Sequence, residues 1–472
     1  MPMNRSARTG DPTGLADLSG TGVPPLPAAE SFDAMELPEA VLTTLAAQGV
    51  TTPFPIQSAA LPSALAGRDV LGRGRTGSGK TLAFGLALLT RTAGRRAAAK
   101  KPLALVLVPT RELAQQVTEA LAPYARALEL RLATVVGGLQ AGRQAGELRA
   151  GAEVLIATPG RLKDLVERRD CRLDQVAVTV LDEADQMADM GFLPQVTELL
   201  DQVPADGQRM LFSATLDQDV ETLVHRYLRD PVVHAADPAE DSAPDAEHHV
   251  LRVHGGDKFA VAGEIAARDG RVLMFLHTKA SVDRFTRQLV DSGVKAAALH
   301  GDKSQPQRTA TLEKFRTGAV TVLVATNVAA RGLHIDDLDL VVNVDPPTDP
   351  KDYLHRAGRT ARAGASGSVV TLALPDQRKD LARLLTEAGV RSRTTDVRPG
   401  APELRRITGA KTPPATPGGA SGDRDRRGAA FRGIGTVPGK PGRTKNESRK
   451  TADARRAAEA RKAARVRRGG GS

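Results

Sequence analysis

Gly74-Arg75-Thr76-Gly77-Ser78-Gly79-Lys80-Thr81 decides how this 472-residue chain is read. Its spacing is G-x-x-x-x-G-K-[ST], that of a phosphate-cradling loop. Before it, Asp69-Val70-Leu71-Gly72-Arg73 reads as a short strand, and after it Leu82 to Leu89 reads as a buried helix. Strand, glycine loop and helix are the setting the motif needs. Glycines let successive backbone N–H groups curl around phosphate oxygens, and the helix N-terminus adds its positive dipole. In this reading Arg75, Thr76, Gly77, Ser78 and Gly79 line the nucleotide phosphates, Lys80 neutralises the β- and γ-phosphates, and Thr81 holds Mg²⁺ through its hydroxyl. The loop specifies a nucleotide phosphate without naming the reaction, because many ATPases share it.

A chain of this length can bury two or three cores. Aromatic residues make up only 3 %, with no Trp, so the cores are built from Leu, Val, Ile and Ala, which suits helices packed on parallel strands. The single cysteine, Cys171, has no intramolecular disulfide partner, which fits a reducing, cytoplasmic location. No apolar run approaches the ~20 residues of a membrane span, so no membrane partner is expected. Residues 1–30 lack the apolar core of a signal peptide and read as a disordered tail. The net charge of +11 is uneven: residues 401–472 hold 19 Lys and Arg against 6 Asp and Glu, while the preceding 400 sum to −2. A basic tail on a nearly neutral body points to a polyanionic partner, most simply nucleic acid.

Along the chain, Phe32 to Gln48 carries a helical pattern, and Pro53-Phe54-Pro55-Ile56-Gln57 breaks it and begins another helix. Strand candidates recur at βα spacing: Leu103 to Val108, Leu132 to Val136, Val154 to Ala157, Val176 to Leu181, Met210 to Phe212 and Val232 to Ala235. That pattern predicts an α/β lobe with a doubly wound parallel sheet over residues 31–236. The acidic, proline-containing stretch 237–249 reads as a linker. A second series, Val250 to Val253, Val272 to Leu276, Ala296 to Leu299, Val320 to Ala325, Leu340 to Val344 and Val369 to Ala373, predicts a second lobe over 250–397 with no phosphate loop of its own. Two lobes with one such loop suggest a nucleotide held between them. Residues 398–472 read as a disordered basic tail, within which the Ala-, Arg- and Glu-rich run Arg449 to Arg468 has helix propensity.

The apolar run Val178 to Leu181 delivers Asp182-Glu183-Ala184-Asp185 at its C-terminal end. Acidic residues there, about a hundred positions after the loop, suit a metal ligand at Asp182 and a water-polarising base at Glu183. Arg359 and Arg362 are three apart, after a strand expected at His355-Arg356, and on a helical turn they face one γ-phosphate as an arginine finger does. Thr110, Arg111, Thr158 and Arg161 fall in loops at strand ends, where hydroxyls and guanidiniums suit phosphate and sugar and predict sequence-independent binding of single-stranded RNA.

With Asp182 to Asp185 spelling DEAD, the chain resembles a DEAD-box ATP-dependent RNA helicase of bacterial type, with two RecA-like lobes, from about Phe32 to Leu374. Phe32, Pro53, Pro55, Ile56 and Gln57 resemble the family's adenine-reading segment, where Phe stacks the base and Gln bonds its edge. The resemblance implies RNA contacts at Pro109, Thr110, Arg111, Gly138, Thr158, Arg161, Arg308 and Thr326, and coupling of hydrolysis to unwinding through Ser213, Thr215 and His355. It implies ATP and Mg²⁺ as cofactors, catalysis by Lys80, Glu183, Arg359 and Arg362, and ribose contact at His334. The chain departs from the family pattern at Gly74 and Arg75, at Ala361 for Gly, at Asn327 for Asp, and at His334 for Asp, with Asp336 two residues on. The implied mechanism is closure of two lobes on ATP and a bent single strand, with local strand separation. The rivals are an RNA clamp or scaffold without turnover and a DNA-directed helicase of superfamily 2. Ribosomal precursor RNA and the RNA-decay machinery both fit as partners.

Overall fold

The computed structural model describes residues 24–74, 77–235, 246–330, 338–361 and 367–414. Apolar runs such as Ala104-Leu105-Val106-Leu107 are buried along their whole length, as strands covered by helices on both faces must be. Strands β1 (Val70–Arg73), β2 (Ala104–Leu107), β3 (Leu132–Val135), β4 (Val154–Ala157), β5 (Val178–Asp182), β6 (Gln208–Ser213) and β7 (Val232–Ala235) form one sheet in the order β3-β4-β2-β5-β6-β1-β7. Strands β8 (Glu247–Arg252), β9 (Val272–Phe275), β10 (Ala296–Leu299), β11 (Val322–Ala325), β12 (Leu340–Asn343), β13 (Ser368–Ala373) and β14 (Arg393–Asp396) form the other, ordered β10-β11-β9-β12-β13-β8-β14. The second order is the first shifted by seven, so the chain winds the same α/β lobe twice. The pairings are parallel throughout, with register such as Val70↔Met210 and Val272↔Val322. Scarce aromatics mark the centres of the cores: Phe84 meets Phe212 at 5.5 Å and Phe259 meets Phe285 at 5.4 Å.

Five expectations change. The Phe32–Gln48 pattern is a short 3₁₀ turn, Phe32–Ala34, then a helix, Glu39–Ala47, because Pro38 holds the preceding chain extended. Strand β8 begins at Glu247, inside the expected linker, where it pairs with Ser368 of β13. Strand β14 is a further edge strand whose mostly exposed Arg-Thr-Thr-Asp sequence has no apolar pattern to announce it. His355 and Arg356 lie in a helix, Pro350–Ala357, begun by Pro350 and capped by Asp349, whose Oδ1 accepts from Asp352 N at 2.8 Å. The expected disordered tail includes folded chain: the helix Pro402–Thr408 buries Leu404 completely and packs against the helix Lys258–Ala266. The expectations for 1–23 and for the basic run Arg449 to Arg468 lie outside the described residues. Among the described residues no helix is long and apolar enough to cross a membrane.

Candidate active site

In a parallel sheet every strand delivers its C-terminal end to one edge, where ligands collect. The adjacent strands β5-β6-β1 bring Asp182, Ser213 and Gly74 side by side there. Gly77 and Gly79 have φ of +90° and +91°, left-handed values that favour glycine. A Cβ on Gly79 would lie 2.6 Å from Gln57 Nε2 and 2.9 Å from Phe54 Cδ2, so the close approach also excludes a side chain. Lys80 opens the helix Lys80–Thr92, and its Nζ donates to Gly74 O at 2.9 Å and to Glu183 Oε1 at 3.1 Å. Burial pulls the Lys80 ammonium down, but Glu183, Asp182 and Asp185 outweigh it and hold it above its ordinary range. Glu183 sits at φ +52°, a strained value for a non-glycine residue and one that concentrates at functional sites.

Asp182 is buried, and its Oδ1 accepts from Glu183 N at 3.0 Å. Burial, and then the neighbouring charge of Glu183, push its carboxyl above the usual range against the pull of Lys80. A carboxylate in that condition gains from a divalent cation. Ser78 Oγ is buried with no partner among the described residues, as in a cradle built for phosphate. Among those residues no three His, Cys, Asp or Glu side chains are arranged to hold a metal ion, so a metal here would draw its remaining ligands from phosphate oxygens and water, as Mg²⁺ commonly does. The buried Asp182 carboxyl fits such a cation, and Thr81 is the second residue of the helix that Lys80 opens. Arg75 and Thr76 lie outside the described residues.

Beside the loop, Gln57 is almost wholly buried. Its Oε1 accepts from Phe54 N at 2.9 Å, closing the start of the helix Pro55–Leu65, and its Nε2 donates to Gly79 O at 3.0 Å. The amide therefore fastens the phosphate loop to that helix with one of its two donors and one of its two acceptor sites. Phe32 packs in the lobe's core at 4 % exposure, whereas Phe54 is 48 % exposed with its ring against Gly79. Phe54 is the aromatic with an open face here. In the sequence it is one apolar residue between Pro53 and Pro55, with nothing local to mark it as exposed.

Ser213, Thr215 and His355 all converge on Asp185, a residue not singled out from the sequence. Asp185 N donates to Ser213 Oγ at 3.2 Å, Thr215 N and Oγ1 each donate to Oδ2 at 3.0 Å, and His355 Nε2 lies 3.6 Å from Oδ2. His355 belongs to the second lobe, so this hub joins the two. Burial opposes both charges, yet each partner prevails: His355 is held above its ordinary range and Asp185 below. The signal for Asp185 was its place as the fourth residue of the acidic run.

Arg356 is buried over the Phe275 ring at 4.8 Å, and its Nε donates to Asn327 Oδ1 at 3.3 Å and its Nη1 to Asn343 Oδ1 at 3.0 Å. The amide oxygen of Asn327 thus supplies an acceptor where the related pattern has a carboxylate. Arg359 is buried just past the helix Pro350–Ala357. Ala361 has φ +55°, so alanine in place of glycine is strained there. Arg362 and His334, with Arg331, Gly332 and Asp336, lie outside the described residues.

The ends of β2, β3 and β4 build a second rim. Thr110, after Pro109, caps the helix Arg111–Ala127 by accepting from Leu113 N at 3.2 Å. The Arg111 guanidinium fills the space a Cβ on Gly138 would need, and Gly138 has φ +76°. Thr158 precedes the helix Pro159–Glu167, where Arg161 Nη1 donates to Leu139 O at 2.9 Å and Gln144 Oε1 at 3.1 Å. Thr110, Arg111, Thr158 and Arg161 therefore stand at helix starts that follow strands. Burial pulls Arg111 below its ordinary range, with Glu112 opposing and Arg308 and Arg161 adding repulsion, so an anion is favoured on this rim. From the second lobe, Arg308 Nε reaches Glu112 Oε1 at 2.7 Å and its Nη2 reaches Ala329 O at 3.1 Å, just beyond Thr326 at the end of β11. Arg308, expected on RNA, is thus engaged across the lobes. Lys351, 4.0 Å from Asp189 and bonded to Asp217, makes another crossing.

Residues 54–223 match the family described as DEAD/DEAH box helicase, and residues 257–364 that described as helicase conserved C-terminal domain. The chain is 40 % identical to the ATP-dependent RNA helicase RhlB of Pseudomonas syringae over 71 % of itself and 87 % of that protein. It is 40 % identical to DEAD-box ATP-dependent RNA helicase 30 of Arabidopsis thaliana over 76 % of itself, and spans 62 % of that relative's length. It spans 65 % of dbp2 of Sclerotinia sclerotiorum. Among solved structures, S. cerevisiae Dbp5 bound to RNA and ADP BeF3 is similar with a TM-score of 0.71 and 29 % identity, covering 81 % of this chain and 99 % of that one. Mss116p bound to ssRNA and AMP-PNP, at 23 % identity and a TM-score of 0.70, shares the fold.

Proposed function

Because the chain belongs to the DEAD/DEAH box helicase family, we propose that it is an ATP-dependent RNA helicase that separates short duplexes or remodels RNA–protein complexes locally. One observation carries the reading: a second-lobe histidine, His355, joins Ser213 and Thr215 on Asp185, two residues from Glu183 and its partner Lys80. Closure of the lobes is thereby tied to the groups that act on phosphate.

The chemistry follows from these side chains. Lys80 places fixed positive charge where phosphate charge develops. Glu183, held by strained backbone, orients a water and takes its proton. Arg359 and Arg362 complete the charge clamp from the second lobe, and Gln57 with Phe54 selects adenine. Thr81 and Asp182 would hold Mg²⁺, which would supply positive charge against the phosphates. His334 contributes to ribose contact. On the other rim, Pro109, Thr110, Arg111, Gly138, Thr158, Arg161 and Thr326 hold a single strand by phosphate and sugar, without choosing sequence. The basic tail adds electrostatic affinity. The single, buried Cys171 is in keeping with a cytoplasmic location, and ribosomal precursor RNA or the RNA-decay machinery would be found by crosslinking in cells.

Hydrolysis measured with ATP alone, with RNA and with DNA tests the proposal, together with displacement of a short RNA duplex. RNA should stimulate both and DNA neither. Hydrolysis indifferent to RNA would overturn it.

A further inference from the structure

Four neighbouring parallel strands, β3-β4-β2-β5, begin on the edge of the first lobe opposite the cleft, and the loops leading into all four are basic. Residues 129–131 lead into β3, 149–153 into β4, 94–103 into β2 and 168–177 into β5. Together they carry nine cations, Arg95, Arg96, Lys100, Lys101, Arg131, Arg149, Arg168, Arg169 and Arg172, against Glu129, Glu153, Asp170 and Asp174, a net +5. The first 400 residues as a whole sum to −2, so this face concentrates positive charge that the rest of the body lacks.

The loops form one surface. Lys100 N donates to Leu148 O at 2.8 Å, Arg172 N donates to Lys100 O at 2.8 Å, and Lys100 Nζ donates to Arg169 O at 2.9 Å. Glu153 is wholly buried beneath and holds Ala97 N at 3.1 Å and Arg131 N at 2.8 Å. Its charge is spent internally. Arg95, Arg96, Arg149, Arg168, Arg169 and Arg172 face solvent.

The chemistry of the face selects its partner. The exposed large hydrophobics among the described residues are Leu26, Phe54, Leu139, Val290, Val328 and Leu354, and none lies in these loops. Protein hot spots need buried aromatic or apolar anchors, and single-strand readers need aromatic platforms for bases. A surface of guanidiniums without either suits a phosphate backbone, which is bound by charge and counterion release. We propose that this basal face grips RNA outside the cleft, through the phosphates of a duplex and without sequence choice. The cleft and this face lie on opposite edges of one sheet, at least a strand length of about 13 Å apart, so flanking duplex can be anchored while one strand is engaged. The partner's identity as RNA rests on the helicase reading above.

The test uses the full chain and its R95E/R96E/R169E/R172E variant, with R95Q/R96Q/R169Q/R172Q as a milder second. Binding is measured against salt for a short single strand that fills only the cleft, and for the same strand extended by a long duplex. The basic tail is common to all three proteins and cancels in the comparison. The charge-reversed variant should bind the duplex-bearing RNA roughly ten-fold or more weakly, with a log–log salt slope shallower by about three, and the glutamine variant should move the same way by less. Short-strand affinity and its stimulation of hydrolysis should not change. Unchanged affinity and slope on the duplex-bearing RNA would overturn the proposal. So would a variant that loses binding only to polyglutamate, which would make the face a dock for an acidic protein. Failure of the short strand to stimulate the unaltered chain would instead count against the helicase reading.

Discussion

Arg308 Nε of the second lobe donates to Glu112 Oε1 of the first across 2.7 Å, and Gln305 Nε2 donates to the same oxygen at 3.2 Å. Both ends of the pair are largely buried, with side-chain exposures of 12 % and 8 %. Glu112 follows Arg111 in the first turn of the helix Arg111–Ala127, so one carboxylate joins the second lobe to the rim proposed to hold RNA. A charged hydrogen bond removed from water loses more than an exposed one. Arg308→Ala and Glu112→Gln should each weaken RNA-dependent ATP binding about ten-fold, and the double variant should be little worse than either. Additive losses in that cycle would mean that Arg308 acts on RNA apart from Glu112.

Glu183→Gln should keep ATP and RNA binding while hydrolysis falls by ~10²-fold or more, the scale of removing a positioned base. Single-turnover hydrolysis with RNA present separates the two effects. Undiminished turnover would reassign the base.

Gln57 and Phe54 should part company on replacement. Gln57→Ala removes two buried hydrogen bonds that tie Phe54 N and Gly79 O together, so it should lower thermal stability by about 1–2 kcal/mol as well as raise the Michaelis constant for ATP. Phe54→Ala, at a half-exposed ring, should raise the Michaelis constant without the stability loss. Thermal melts beside ATP and GTP kinetics check both. An unaltered Michaelis constant in Phe54→Ala would show that the ring touches no base.

The His355–Asp185 contact should make the proposed closure of the lobes sensitive to pH. Because the histidine is held above its ordinary value when closed, its contribution is complete below about pH 6.5 and fades as pH rises through the raised value. Asp185 is held low, so its contribution is present above about pH 4 and is lost only in stronger acid. RNA-dependent ATP affinity should therefore decline from mildly acidic to alkaline pH. His355→Gln should flatten that profile, and an identical slope in the variant would place the titrating group elsewhere.

Truncation should show what the helix Pro402–Thr408 contributes to stability. Ending the chain after Pro414 keeps Leu404 and the bond from Lys411 N to Glu264 O, 3.0 Å long, so the melting temperature should stay the same. Ending it after Gly400 removes the fully buried Leu404 and should cost about 2 kcal/mol or more. Equal melting temperatures would mean that the helix Pro402–Thr408 adds nothing to the lobe.

The phosphate loop, the acidic run after β5, the tandem α/β lobes and most of their strands were legible in the order of residues alone. Those are local properties: glycine spacing and short apolar runs between helical patterns dictate backbone geometry within a few residues. Folding in three dimensions is what buries Phe32 and leaves Phe54 open, makes Asp185 the hub for Ser213, Thr215 and His355, and sets Arg308 against Glu112, 196 residues away in sequence. It also decided the edge strand β14, whose polar residues are ordered by hydrogen bonds to β8, and the basic face assembled from four loops. Burial, cross-lobe pairing and charge on a composite surface depend on which distant segments meet. No local pattern encodes that, because each residue's own neighbours read the same whether its partner lies four positions away or two hundred.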